Sequence, residues 1–123
     1  MENKAKIQDF TDLIVWQKAH RLVLLIYKIT VKFPRAEMYA LVDQIRRATV
    51  SVTSNIAEGF SRHTLKEKIQ FYYMASGSLT EVRNQLIISK DLGYITDETF
   101  KNLNLLSIEI NKMIQGLIKS LKK

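Results

Sequence analysis

The stretch Leu41-Val42-Asp43-Gln44-Ile45-Arg46-Arg47-Ala48-Thr49-Val50-Ser51-Val52-Thr53-Ser54-Asn55-Ile56 decides the fold. Leu41, Ile45, Ala48, Val52 and Ile56 recur at spacings of four and three, the period that places side chains on one face of an α-helix. Beside this apolar stripe runs a polar one, Arg47, Ser51, Asn55, Glu58 and Arg62, again at threes and fours. An apolar stripe must be covered, so this helix needs neighbours. No period-two alternation persists anywhere in the chain, so the neighbours are helices too.

Upstream, the spacing predicts a first helix over about residues 12–31, with Thr11 or Asp12 as its cap. Leu13, Trp16, His20, Val23, Tyr27 and Thr30 form one inward stripe; Val15, Ala19, Leu22, Ile26, Ile29 and Phe33 form a second beside it. Only Gln17, Arg21, Lys28 and Lys32 are left for the polar face. So wide an apolar face predicts contact beyond the helix's own bundle, and hence a homo-oligomer. Pro34 lacks an N–H and ends this helix, and it can open the next, predicted over about 37–60 with Gly59 near its exit.

Downstream, Thr64-x-x-Glu67 is a capping box and starts a third helix over about 65–92. Ile69, Tyr72, Ala75, Leu79, Val82 and Leu86 face inward, while Ala75-Ser76-Gly77-Ser78 predicts a close approach of a neighbouring backbone. Gly93 stops that helix. Thr96 caps a fourth, about 97–121, whose inward stripe is Phe100, Leu103, Ser107, Ile110, Ile114, Leu117 and Leu121. The links are short, so successive helices are expected to be antiparallel neighbours. Residues 1–123 thus read as one all-α domain, an antiparallel up-down four-helix bundle.

The chemistry is sparse. The chain has no cysteine, which removes disulfides and thiol chemistry. Met1 to Lys6 lack the apolar core of a signal peptide, and the longest apolar run, Leu22 to Tyr27, falls far short of the ~20 residues of a membrane span. A cytoplasmic protein with no membrane contact is expected. His20 lies on an inward stripe and reads as an interior or interface histidine; His63 reads as exposed in a link. No His-Glu-x-x-His, Glu-x-x-His, Walker or Gly-x-Ser-x-Gly pattern occurs. No catalytic residue, no metal and no cofactor is therefore predicted, and the chain is not expected to be an enzyme.

A net charge of +7 favours an anionic partner. Basic residues cluster at Arg21, Lys28 and Lys32, and again at Arg62, His63, Lys66 and Lys68, with Tyr72 and Tyr73 a turn later. Cations beside aromatics suit phosphates and bases. The candidate RNA or DNA contacts are Arg46, Arg47, Arg62, Lys66 and Lys68. The polar stripe Arg47, Ser51, Asn55 and Glu58, with Glu81 reaching in from the third helix, is either the lining of a ligand or nucleic-acid groove or a network that fixes helix register or a subunit interface. The alternative to a nucleic-acid-associated scaffold is a protein-interaction module that docks a partner protein.

Several phrases carry a family resemblance. They are Leu13-Ile14-Val15-Trp16-Gln17-Lys18-Ala19, then Phe33-Pro34-x-x-Glu37-x-Tyr39-x-Leu41-x-x-Gln44-x-Arg46-Arg47-Ala48, then Ser51-Val52-x-Ser54-Asn55-Ile56-Ala57-Glu58-Gly59. Gly77-Ser78-x-x-Glu81 and Leu92-Gly93-Tyr94-Ile95 complete them. Together they resemble the four-helix-bundle protein encoded in intervening sequences of bacterial 23S rRNA genes, sometimes labelled a ribosomal protein. The resemblance runs from about Phe10 to Leu121. It implies a ring-like homopentamer and kinship with the accessory protein of diversity-generating retroelements. A pentamer multiplies the charge to about +35. Ala40 departs from the family, which often has Gly there; alanine is expected to suit the helix better.

Overall fold

The computed structural model describes residues 6–123, and among them all regular structure is helical. Four long helices follow one another: α1 (Ile14–Thr30), α2 (Leu41–Ser61), α3 (Leu65–Asp91) and α4 (Asp97–Leu121). Single 3₁₀ turns, Phe10–Asp12 and Arg35–Glu37, precede α1 and α2. α1 packs on α2 and α4, and α3 packs on the same two.

The predicted inward stripes build the core. Leu22 and Ile26 of α1, Ile45, Val52 and Ile56 of α2, Leu79, Val82 and Leu86 of α3, and Ile110 and Ile114 of α4 are all but sealed from solvent. Each such side chain is worth about 1.5–3 kcal/mol of burial. Ser107 lies in the same layer and satisfies its hydroxyl by donating to Leu103 O (2.8 Å).

The helix starts differ from the sequence reading in two places. α1 begins at Ile14 rather than at 12, because Asp12 closes the turn before it: its carboxylate accepts from the N–H groups of Gln8 and Asp9, both at 3.0 Å. Asp9, not Thr11 or Asp12, is the capping residue there, and it caps the turn. α2 begins at Leu41 rather than at 37, since Pro34 precedes the 3₁₀ turn instead of opening the helix. Ala40 consequently sits just outside α2 (φ −123°, ψ −102°), so helix propensity does not explain its place in the chain. At α3, Thr64 does cap as expected, accepting from Glu67 N (3.1 Å), and at α4 Thr96 accepts from Thr99 N (3.0 Å).

Gly93 ends α3 with φ +80°, a conformation that glycine adopts without steric cost. Its N–H bonds Lys90 O and the N–H of Tyr94 bonds Ser89 O, both at 2.9 Å, which satisfies two terminal carbonyls. Tyr94 then reaches back: its hydroxyl donates to Glu37 Oε2 (2.8 Å) and its ring packs on Phe33 (5.2 Å between centroids). The α3–α4 link is thus tied to the α1–α2 link.

Two inward assignments on α1 are overturned. His20 is exposed and stacks on Trp16, with ring centroids 4.8 Å apart and planes within 11°. Stacking on the indole covers the imidazole face and leaves its nitrogens to water, which avoids the cost of burying an unpaired polar ring. Tyr27 is also exposed, beneath the Arg46 guanidinium (4.5 Å to the centroid). The expectation for Gly77 fails too: a Cβ built there meets nothing within 4 Å. The close approach is at Gly59, where a Cβ would lie 2.6 Å from the ring of Tyr72.

Candidate nucleic-acid interface

The five cations singled out in the sequence divide into two kinds. Arg46 lies over Tyr27, and its Nε donates to the hydroxyl of buried Thr30 (2.9 Å), which in turn donates to Ile26 O (2.7 Å). Lys68 donates to the carbonyls of Phe60 (2.7 Å) and Gly59 (3.3 Å), so it caps the C-terminal end of α2, where positive charge is favoured. These two hold helices together.

The other three remain reachable. Arg47, its side chain 79% exposed, pairs among the described residues only with Asp43 one turn back (3.1 Å). Arg62 pairs with Glu58 (2.8 Å), lies over Phe71 (4.7 Å), and keeps a buried Nε with no partner among the described residues. Lys66 is exposed and in none of the ion pairs found among the described residues. Pairs spaced i,i+4 on a helix surface are worth about 0.3–0.5 kcal/mol, so they yield readily to a phosphate.

The polar stripe of α2 is not one continuous network. Its centre is a cross-helix triad: the Ser51 and Ser78 hydroxyls share a hydrogen bond (2.8 Å), and Asn55 Nδ2 donates to Ser51 O and Oγ (2.9 and 3.0 Å). Arg47 and Glu58 turn outward to their own partners at either end. Glu81 is exposed and, with Arg47 and Ser51, lines an open cleft of about 300 Å³ between α2 and α3. Of the tyrosines beside the second basic cluster, Tyr72 is buried and offers no stacking face, its phenol pushed up by that burial. Tyr73 is exposed and accepts from Lys122 Nζ (2.9 Å).

Sequence reading missed how α3 joins α4. Ser76 donates to Asn111 Oδ1 (2.7 Å) and accepts from Gln115 (3.1 Å), and Arg83 Nε donates to Asn104 Oδ1 (3.0 Å). The Ser76-Gly77-Ser78 run was the signal to follow: its two serines serve α4 and α2 respectively. His63 is exposed, as expected. Among the described residues no three His, Asp or Glu side chains gather where a metal ion would need them, and no helix is long and apolar enough to cross a membrane.

These features define a class of protein: a four-helix all-α fold whose half-buried polar side chains join helices and whose accessible cations sit along its edges. More particularly, the chain belongs to the 23S rRNA-intervening sequence protein family, whose sequence profile matches residues 11–116. Among solved structures it is similar to a protein of unknown function from the S23 ribosomal protein family of Bacteroides thetaiotaomicron VPI-5482. The two are 27% identical, the match covers 86% of this chain and 99% of that one, and the TM-score is 0.78. No curated protein matches the chain.

Proposed function

We propose that this protein is a non-enzymatic, homo-oligomeric scaffold that contacts RNA or DNA, built from helices that run alternately up and down and assembled as a ring-like pentamer. One observation carries the nucleic-acid reading: Arg47 on α2, Arg62 just past its end and Lys66 in the first turn of α3 stay accessible. Their neighbours Arg46 and Lys68 hold the local structure and position them. The family's name refers to 23S rRNA, and a net charge of +7 draws polyanions. In an oligomer the charge repeats with each copy.

The expected contact is with the phosphate backbone, because long flexible cations on a helix edge match phosphates better than base edges. Binding of RNA and DNA oligonucleotides, followed by anisotropy at rising salt, should weaken linearly on a log–log plot. Arg47→Ala with Lys66→Ala should reduce the slope by about 2, one for each phosphate that is no longer neutralised. A flat salt response, or no binding to either polymer at low salt, overturns the reading.

A further inference from the structure

Across the bundle from that cationic edge, α1 and α4 are bridged where Lys18 Nζ meets Glu109 (3.1 Å), and then leave a groove between them. Two adjoining clefts, of about 320 and 280 Å³, share Lys28, Ile29 and Thr99 and so form one channel running from Arg21 to Tyr94. Along α1 and the turn that follows it, Arg21 to Lys32 spans about 16 Å, the length of three helical turns. The floor is aliphatic: Leu25 and Ile29 from α1, Ile95 and Leu103 from the other side. One lip carries Arg21, Lys28 and Lys32, none of which is in an ion pair among the described residues. The facing lip is neutral, Thr99 and Asn102. Asp97 and Glu98 of the first turn of α4 are exposed and do not line the channel.

We propose that this groove docks an acidic amphipathic helix of a partner protein, with aliphatic side chains on Leu25, Ile29, Ile95 and Leu103 and carboxylates on Arg21, Lys28 and Lys32. Helix-in-groove recognition needs an apolar trough of a few turns, and charge on one lip sets the sign of the matching flank. A nucleic-acid strand fits less well. Its bases stack on aromatic faces, whereas the floor is aliphatic and Tyr94, the one aromatic lining the channel, is held by Phe33 and Glu37. A second copy of this chain would bring its own net charge of +7 against a cationic lip. The proposal goes beyond nucleic-acid contact and uses none of Arg47, Arg62 or Lys66.

The test uses the full chain and a fluorescein-labelled helical peptide of about 14 residues, with leucines at i, i+3, i+4 and i+7 and glutamates along one flank. The peptide should bind saturably. Lys28→Glu with Lys32→Glu, at exposed positions, should weaken it by about tenfold or more with helix content unchanged. A sister peptide with lysines in place of the glutamates should prefer that variant to the wild type. Absence of saturable binding overturns the proposal, as does binding indifferent to charge reversal. A uridine 20-mer that displaces the peptide from the wild type and loses its own binding in the variant also overturns it. So does an oligomeric mass that changes with the two substitutions while the peptide fails to bind.

Discussion

Gly59 and Gly77 sit in consecutive helices and answer to opposite constraints. At Gly59 an added Cβ would fall 2.6 Å from the Tyr72 ring, and that ring is 3% exposed with no room to swing aside. Forcing a methyl into such a contact costs about 1–3 kcal/mol, against about 1 kcal/mol regained in helix propensity. At Gly77 a Cβ meets nothing, so the residue carries only the helix penalty of glycine. Gly77→Ala is therefore expected to raise unfolding stability by about 1 kcal/mol and Gly59→Ala to lower it, both read from urea melts. Stabilisation by both substitutions would mean that α2 and α3 are not in contact at Tyr72.

Among the elements, the two links are coupled by Tyr94. Its phenol is held above the ordinary tyrosine value by its hydrogen bond to Glu37, with burial and the charge of Glu37 adding to it. Burial does the same for Tyr72. Both shifts favour the protonated phenol in the folded state. Their stabilising effect is therefore complete below pH ~10 and is lost as pH climbs through the raised values. Tyr94→Phe removes one of the two titrations. The variant should be less stable than the wild type near neutrality and should lose stability less steeply above pH ~10. Urea melts taken across that range decide it; identical alkaline slopes would detach Tyr94 from the fold's stability.

For the whole molecule, the unusual feature is what α1, the link after it and α2 leave uncovered. Val31 is 74% exposed and Tyr39 91%, with Leu24, Tyr27, Met38 and Val50 also exposed. Tyr27 and Val50 border one cleft and Val31 and Met38 another, and Arg46 lines both. Exposed apolar side chains gathered around two clefts that share Arg46 mark an interaction site. Copies of the chain are the occupant that the oligomer proposal requires. In solution the mass should be about five times the 14.3 kDa of one chain, and Leu24→Asp with Val31→Asp should shift it toward a single chain without loss of helix. A monomeric wild type at micromolar concentration would leave the patch for some other partner and remove the pentamer.

The sequence by itself determined the four helices, the stripes that become their core, and the caps at Thr64, Thr96 and Gly93. Each of these depends on spacing along a single chain or on one residue's bonds to its own neighbours, and helical period carries both. Residue type also marked the cations, but not their employment. Only the tertiary structure decided that Lys68 caps α2, that Arg46 is spent on Thr30 and Tyr27, and that Ser76 and Ser78 face different partners. It alone exposed His20 and Tyr27 and opened the channel between α1 and α4. The reason is geometric: periodicity fixes which residues share a face, but the distance and rotation between two helices fix how much of that face is covered, and a wide apolar stripe is compatible with many such arrangements.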